Sequence, residues 1–153
     1  MSNDPFAAAL RLLAVRERSS SELAARLRRK GCDEERITEA IERCRDLGYL
    51  DDARFARQRT SMLRRQGRAV GRRLLTDLLA HGVPEEMARA AMADADAEQS
   101  EKEILAALLR QRFPAFDFAS ADDRQRRRVV DFFRRRGFPL PLILAILNGR
   151  EED

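Results

Sequence analysis

Histidine and cysteine are scarce in this chain, and it has no long apolar run. His81 is the single histidine among 153 residues, so neither a histidine-paired nucleophile nor a multi-histidine metal site can be assembled. Cys32 and Cys44 have no metal-ligand spacing and fall at apolar helix positions, where we expect buried, reduced thiols. No apolar run approaches the roughly 18 residues that a membrane span requires, and the N-terminal residues lack a secretion signal.

These absences favour a cytoplasmic protein that binds no metal or cofactor and is not an enzyme. A phosphate-binding loop of the G-x-x-x-x-G-K-[ST] type is also missing. Asp51 and Asp52 suggest a metal pair, but they stand where a helix needs a cap, and we interpret them as capping residues. His81 falls at a predicted helix C-terminus, where partial positive charge is favourable.

Lysine is nearly absent as well. Of thirty basic residues, only Lys30 and Lys102 are lysines. A GC-rich genome explains this preference for arginine, so the choice of arginine over lysine carries no functional information. The net charge of +4 is weak evidence for an anionic partner, and only the positions of the charges are informative.

What the chain does have is helical periodicity from end to end. Apolar residues recur three and four positions apart, and no segment shows sustained strand alternation. Ser19 and Glu22 form a capping box, S-x-x-E, before an apolar run, and Asp33 is a good cap for the next helix. The sequence therefore predicts an all-α protein.

A repeat of about 50 residues emerges when three glycines are aligned. Gly82 follows Gly31 by 51 positions, and Gly137 follows Gly82 by 55. Positions four and eight before each glycine, and one, six and ten after it, are apolar in all three copies. We predict three tandem three-helix repeats, 5–48, 49–96 and 97–149, forming an elongated, curved array. Each aligned glycine should end the second helix of its repeat with positive φ.

The segment from Gly48 to Ala56, G-Y-L-D-D-A-R-F-A, reads as a helix end joined directly to the next helix. Gly48 can take the left-handed conformation that closes a helix, with Tyr49 folding back onto Cys44. Asp51 is the predicted N-cap, and Leu50 and Phe55 occupy the two positions of a hydrophobic staple. Such a joint fixes the angle between two helices.

Positive charge is segregated along the chain. Between Arg54 and Arg73 there are eight arginines and no acidic residue. A second arginine cluster runs from Arg124 to Arg136, opposed only by Asp131, and a third precedes Gly31. Compensation of the helix dipole explains arginines just before the stop glycines, but not the run from Arg54 to Arg73. That run is either a solvated face or a surface for phosphates or an acidic protein.

The joint from Gly48 to Ala56 resembles the signature of the RecX regulatory proteins. Arg135 to Phe138, R-R-G-F, and the R-S-x-x-E-L of Arg18-Ser19 with Glu22-Leu23, resemble that family too. The resemblance extends from about Phe6 to Leu147. It implies tandem three-helix repeats and a modulator, usually an inhibitor, of the RecA recombinase. Such a protein binds the RecA–DNA filament, and a helical groove is the proposed binding site. It thereby regulates DNA repair, recombination and the SOS response.

On this basis we expect a monomeric, non-enzymatic regulator whose partners are the RecA filament and single-stranded DNA, with duplex DNA a further option. We expect the contact arginines to be exposed. A helix-turn-helix transcriptional regulator and a protein-interaction scaffold are the competing hypotheses; the former lacks a basic helix with Asn and Gln base readers. The primary candidate contacts are Arg57, Arg64, Arg65, Arg68, Arg72 and Arg73, and the secondary ones are Arg134, Arg135 and Arg136.

Overall fold

The computed structural model describes residues 4–149, and nine helices and their connections make up that part of the chain. The all-α prediction is confirmed. In residues 4–149, no helix combines the length and apolar character that crossing a membrane demands. The helices are α1 Pro5–Val15, α2 Ser20–Arg29, α3 Glu34–Asp46, α4 Asp52–Arg65, α5 Gly71–Ala80, α6 Glu85–Glu98, α7 Glu101–Arg112, α8 Asp123–Arg135 and α9 Leu140–Leu147.

The helix ends follow the local signals in the sequence. Ser19 and Glu22 form the predicted capping box on α2, and Asp33 accepts a hydrogen bond from the Arg36 N–H on α3. The aligned glycines end α2, α5 and α8 in the left-handed region, which confirms that prediction. Their φ angles are 89° at Gly31, 81° at Gly82 and 101° at Gly137.

The joint between α3 and α4 forms as predicted, with one difference. The Tyr49 N–H donates to the Cys44 carbonyl at 2.9 Å, and the Arg54 N–H donates to Asp51 Oδ1 at 3.0 Å. Leu50 and Phe55 are both buried. Tyr49, however, is 53% exposed as a residue, because Leu50 rather than Tyr49 enters the core after the turn.

By Cα proximity the chain divides into two compact units. The first comprises the described residues up to Gln58 together with Leu78–Ala91, and the second comprises Arg59–Asp77 and the described residues from Met92 onward. The division runs through the predicted middle repeat, 49–96. The boundaries of the three repeats stay a prediction.

In the first unit, α1 and α2 both pack on α3. Its core holds Leu23 and Leu27 of α2 together with apolar residues of α3. The helical spacing of Phe6, Leu10, Leu13 and Ala14 in the sequence predicts that they form the apolar face of α1. The buried apolar residues of this helix are instead Ala8 and Ala9. Alanine lets α1 approach α3 closely, so the larger side chains lie at the edge of the contact.

In the second unit, α7, α8 and α9 enclose a core rich in phenylalanine. The Phe133 ring makes edge contacts with Phe113, Phe132 and Phe138. Val70, from the α4–α5 connection, is fully buried in the same core. Residues 113–120 form a loop, and its Phe116 and Phe118 pack back on this core.

Candidate functional site

Acidic residues from other elements neutralise part of the arginine run. Arg54 forms an ion pair with Glu17, Nε to Oε1 at 2.8 Å, and also donates to the Gly48 carbonyl. Arg59 forms an ion pair with Asp77, with Nη2 2.9 Å from Oδ2. These two arginines therefore contribute to the fold, although no acidic residue lies between Arg54 and Arg73 in sequence.

Arg64 corrects the predicted set of exposed arginines. Its side chain is 6% exposed and forms an ion pair with Asp96, Nη1 to Oδ1 at 2.8 Å. It also donates to the carbonyls of Ala95 and Gln99, at the end of α6. A buried guanidinium that satisfies the last carbonyls of a helix does not present its charge to a partner. The expectation that Arg64 is exposed was wrong.

The other five primary candidates are exposed. One of them, Arg57, belongs to the first unit, whereas the remaining four belong to the second. Those four occupy the last turn of α4, the connection after it and the first turn of α5: Arg65, Arg68, Arg72 and Arg73.

Within the second unit, the α4–α5 connection lies against the turn between α8 and α9. The Val70 N–H donates to the Arg136 carbonyl at 2.9 Å. The approach is so close that a Cβ on Gly137 would overlap the Val70 carbonyl and come within 2.8 Å of Arg73 Cβ. Two arginine clusters that are distant in sequence are thereby brought together. We call the result the basic surface, and its members are Arg68, Arg72, Arg73, Arg134, Arg135 and Arg136.

The secondary candidates differ in the exposure and the hydrogen bonding of their guanidinium groups. Arg134 and Arg135 are exposed in the last turn of α8, where positive charge also favours the helix dipole. Arg136 is half-buried: its guanidinium lies 3.4 Å from the Phe132 ring centroid and donates to the Phe132 carbonyl at 2.9 Å. Burial, and then the nearby charges of Arg112 and Arg135, lower the pKa of Arg136.

Fold stability does not explain the positive charge on α5. Arg72 and Arg73 lie in its first turn, where the helix dipole disfavours cations by about 0.3–1 kcal/mol each. The Glu101 carboxylate lies close to Gly71 at the same helix end. Burial, and then the charge of Asp96, raise the pKa of Glu101, whereas Arg64 opposes this rise. One carboxylate beside two arginines compensates their charge only in part.

The arrangement of the basic surface suits the binding of anions. Exposed guanidinium groups match the geometry of phosphate and carboxylate oxygens. Within residues 4–149, no group of three or more His, Cys, Asp or Glu side chains is arranged to hold a metal ion. The sequence did not predict that the two arginine clusters lie close together, because no residue near either cluster indicates a contact with the other.

Comparison with known proteins gives a consistent result. The family model described as RecX, first three-helix domain, matches residues 6–44. The chain is 50% identical to the regulatory protein RecX of Syntrophotalea carbinolica over 135 residues, 88% of each chain. It is 36% identical to the regulatory protein RecX of Trichlorobacter lovleyi over 146 residues, 95% of each chain.

A crystal structure of RecX from Lactobacillus salivarius has a similar fold. It superposes with a TM-score of 0.77 over 95% of this chain and 93% of that one, at 19% sequence identity. The sequence identity to full-length relatives and this shared fold agree with the motifs at Arg18 and at the α3–α4 joint. The chain belongs to the RecX family of regulatory proteins.

Proposed function

We propose that this protein regulates the RecA recombinase by binding the RecA–DNA filament, and that it inhibits the ATPase, recombinase and coprotease activities of RecA. Membership in the RecX family supports a regulatory role, and the resemblance described above supplies the filament as partner. The observation that carries the proposal is the basic surface, where the α4–α5 connection and the start of α5 meet the end of α8, each with exposed arginines.

The proposed contact is electrostatic. In the filament, the basic surface faces DNA phosphates or acidic side chains of RecA, and its arginines pair with them. Bound in this way, the protein blocks subunit addition or the cycling that ATP hydrolysis requires. Arg57 and Arg65 are exposed and extend the candidate contacts, while Arg64 supports the fold instead.

The proposal is tested by titrating the protein into a RecA ATPase assay on single-stranded DNA. We expect the parent to suppress ATP hydrolysis, and the triple variant Arg68→Ser, Arg72→Ser and Arg73→Ser to require a much higher concentration. All three side chains are exposed, so each change should alter stability by less than about 0.5 kcal/mol.

A matched control removes the same charge elsewhere. Arg11, Arg36 and Arg110 are also exposed and belong to neither arginine cluster, and changing these three to Ser should leave suppression at the parent's level. If the triple variant of the basic surface folds normally and suppresses ATP hydrolysis as well as the parent does, the proposed contact is wrong.

A further inference from the structure

The first unit contains a cleft of about 240 Å³ between the α1–α2 connection and one face of α2. The residues that α2 contributes are spaced by three, four and seven positions, so they lie on the same side of the helix. The cleft is lined by Arg16, Arg18, Glu22, Ala25, Arg26 and Arg29. None of them belongs to the basic surface, and we call this site the arginine cleft.

Arg18 is the most unusual residue of the arginine cleft, because it is only 7% exposed. Its Nε–H donates to the Leu12 carbonyl at 3.2 Å, which fixes the plane of the guanidinium. Within residues 4–149, its two Nη groups donate to no protein acceptor. A buried guanidinium normally requires a paired anion, so Arg18 offers two oriented donors to a ligand.

The single carboxylate in the lining is already occupied. Glu22 Oε2 accepts from Arg16 Nη2 at 2.8 Å, and Oε1 accepts from the Ser19 N–H at 3.2 Å. Four arginines and one carboxylate line the cleft, so positive charge remains in excess even though the charge of Glu22 acts on Arg18. Burial, followed by the charges of Arg16 and Arg26, lowers the pKa of Arg18, as expected where cations are held close together.

We propose that the arginine cleft binds a phosphate group, with Arg18, Arg26 and Arg29 donating hydrogen bonds to its oxygens. Guanidinium forks match phosphate oxygens two at a time. The volume lies below the about 300–1,000 Å³ of clefts that enclose whole drug-sized ligands, so a compact anion fits and an entire nucleotide does not. Ala25 leaves the space open, since it has no side chain beyond Cβ.

The phosphate could belong to a nucleic-acid backbone or to a free nucleotide, and the cleft recognises the group they share. This proposal does not rest on the proposed filament contact, because it uses different residues in the other unit. Arg18 and Glu22 belong to the R-S-x-x-E-L motif. The Nε–H of Arg18 caps a carbonyl in the last turn of α1, and its two Nη groups take no part in that cap.

The test is a nuclear magnetic resonance titration of the ¹⁵N-labelled full chain at constant ionic strength. The probes are inorganic phosphate, ATP and oligothymidylate, each added separately. The Arg18 Nε–H is a suitable reporter because its hydrogen bond to Leu12 slows exchange with water. We expect its resonance, and the backbone amides of residues 25–29, to shift and saturate.

Two variants localise the effect. Arg26→Gln with Arg29→Gln should weaken binding by about tenfold or more, since charge-assisted hydrogen bonds are lost. Ala25→Leu keeps every charge but fills the cleft, and it should weaken binding as well. The control, Arg11→Gln with Arg36→Gln, removes two exposed charges outside the cleft and should bind as the parent does.

The probes distinguish the source of the phosphate. Saturation by inorganic phosphate and ATP supports a free phosphate, and saturation by oligothymidylate alone supports a backbone phosphodiester. If no probe produces a saturable shift in these residues, or if the cleft variant and its control bind equally, the proposal is overturned. Neither variant alters the basic surface, so failure here is separable from failure of the filament contact.

Discussion

At the scale of single residues, arginine serves two purposes in this protein. Some arginines complete the fold: Arg54 bonds the Gly48 carbonyl at the end of α3, and Arg126 lies 4.3 Å from the Phe118 ring centroid. Others, such as Arg72 and Arg73, are exposed and placed where the helix dipole disfavours them. Because residue type is the same in both cases, only the partner atoms distinguish a structural arginine from a binding one.

Neighbouring Arg64 and Arg65 test this distinction directly. Arg64→Ala should lower the free energy of unfolding by about 1–3 kcal/mol, since the Gln99 carbonyl loses its arginine donor and Asp96 loses its ion-pair partner. Arg65→Ala, one position along the same helix but exposed, should change it by less than about 0.5 kcal/mol. Urea unfolding of both variants measures the difference. Equal stability of the two would contradict the role assigned to Arg64.

At the scale of helices and turns, the aligned glycines share a conformation but differ in their surroundings. Gly31 has open space where a Cβ would lie, whereas a Cβ on Gly82 would overlap Ser21 and one on Gly137 would overlap Val70. All three end a helix. Two of them also let another segment approach, and in the case of Gly137 that segment belongs to the basic surface.

This difference predicts unequal effects of the same substitution. Gly31→Ala should cost about 1–2 kcal/mol, because a positive φ is unfavourable for any residue with a Cβ. Gly137→Ala carries that cost and, because of the overlap, about 1–3 kcal/mol more. Thermal unfolding of the two variants compares them. If Gly137→Ala proves no less stable than Gly31→Ala, the close packing of the α4–α5 connection on the α8–α9 turn is not as described.

At the scale of the whole molecule, the distribution of charge is more informative than the net charge. A net charge of +4 on 153 residues would not by itself indicate a nucleic-acid partner. Exposed arginines occur on many helices, but several lie close together in the basic surface of one unit and in the arginine cleft of the other. Concentrated charge gives binding that depends steeply on salt, since each neutralised phosphate releases counterions.

Salt dependence therefore distinguishes DNA contact from contact with RecA alone. If the basic surface binds DNA phosphates, the affinity of the parent for single-stranded DNA should fall steeply as salt increases. The triple variant at Arg68, Arg72 and Arg73 should show a log–log slope that is shallower by up to about 0.7 per lost contact. Fluorescence anisotropy measures both slopes. Poor binding of bare DNA by both proteins would assign the contact to acidic side chains of RecA instead.

The sequence alone determined the helical class, the caps on α2, α3 and α4, the left-handed glycines and the family. Each of these depends on residues within a few positions of one another, or on a motif read directly. Only the tertiary structure decided which arginines between Arg54 and Arg73 form ion pairs within the protein, because their partners Glu17, Asp77 and Asp96 come from other elements. It also decided that Val70 meets Arg136 and that Arg18 is buried with open donors. The spacing of residues along the sequence does not reveal such contacts, because they form when segments that are distant in sequence bury apolar surface together.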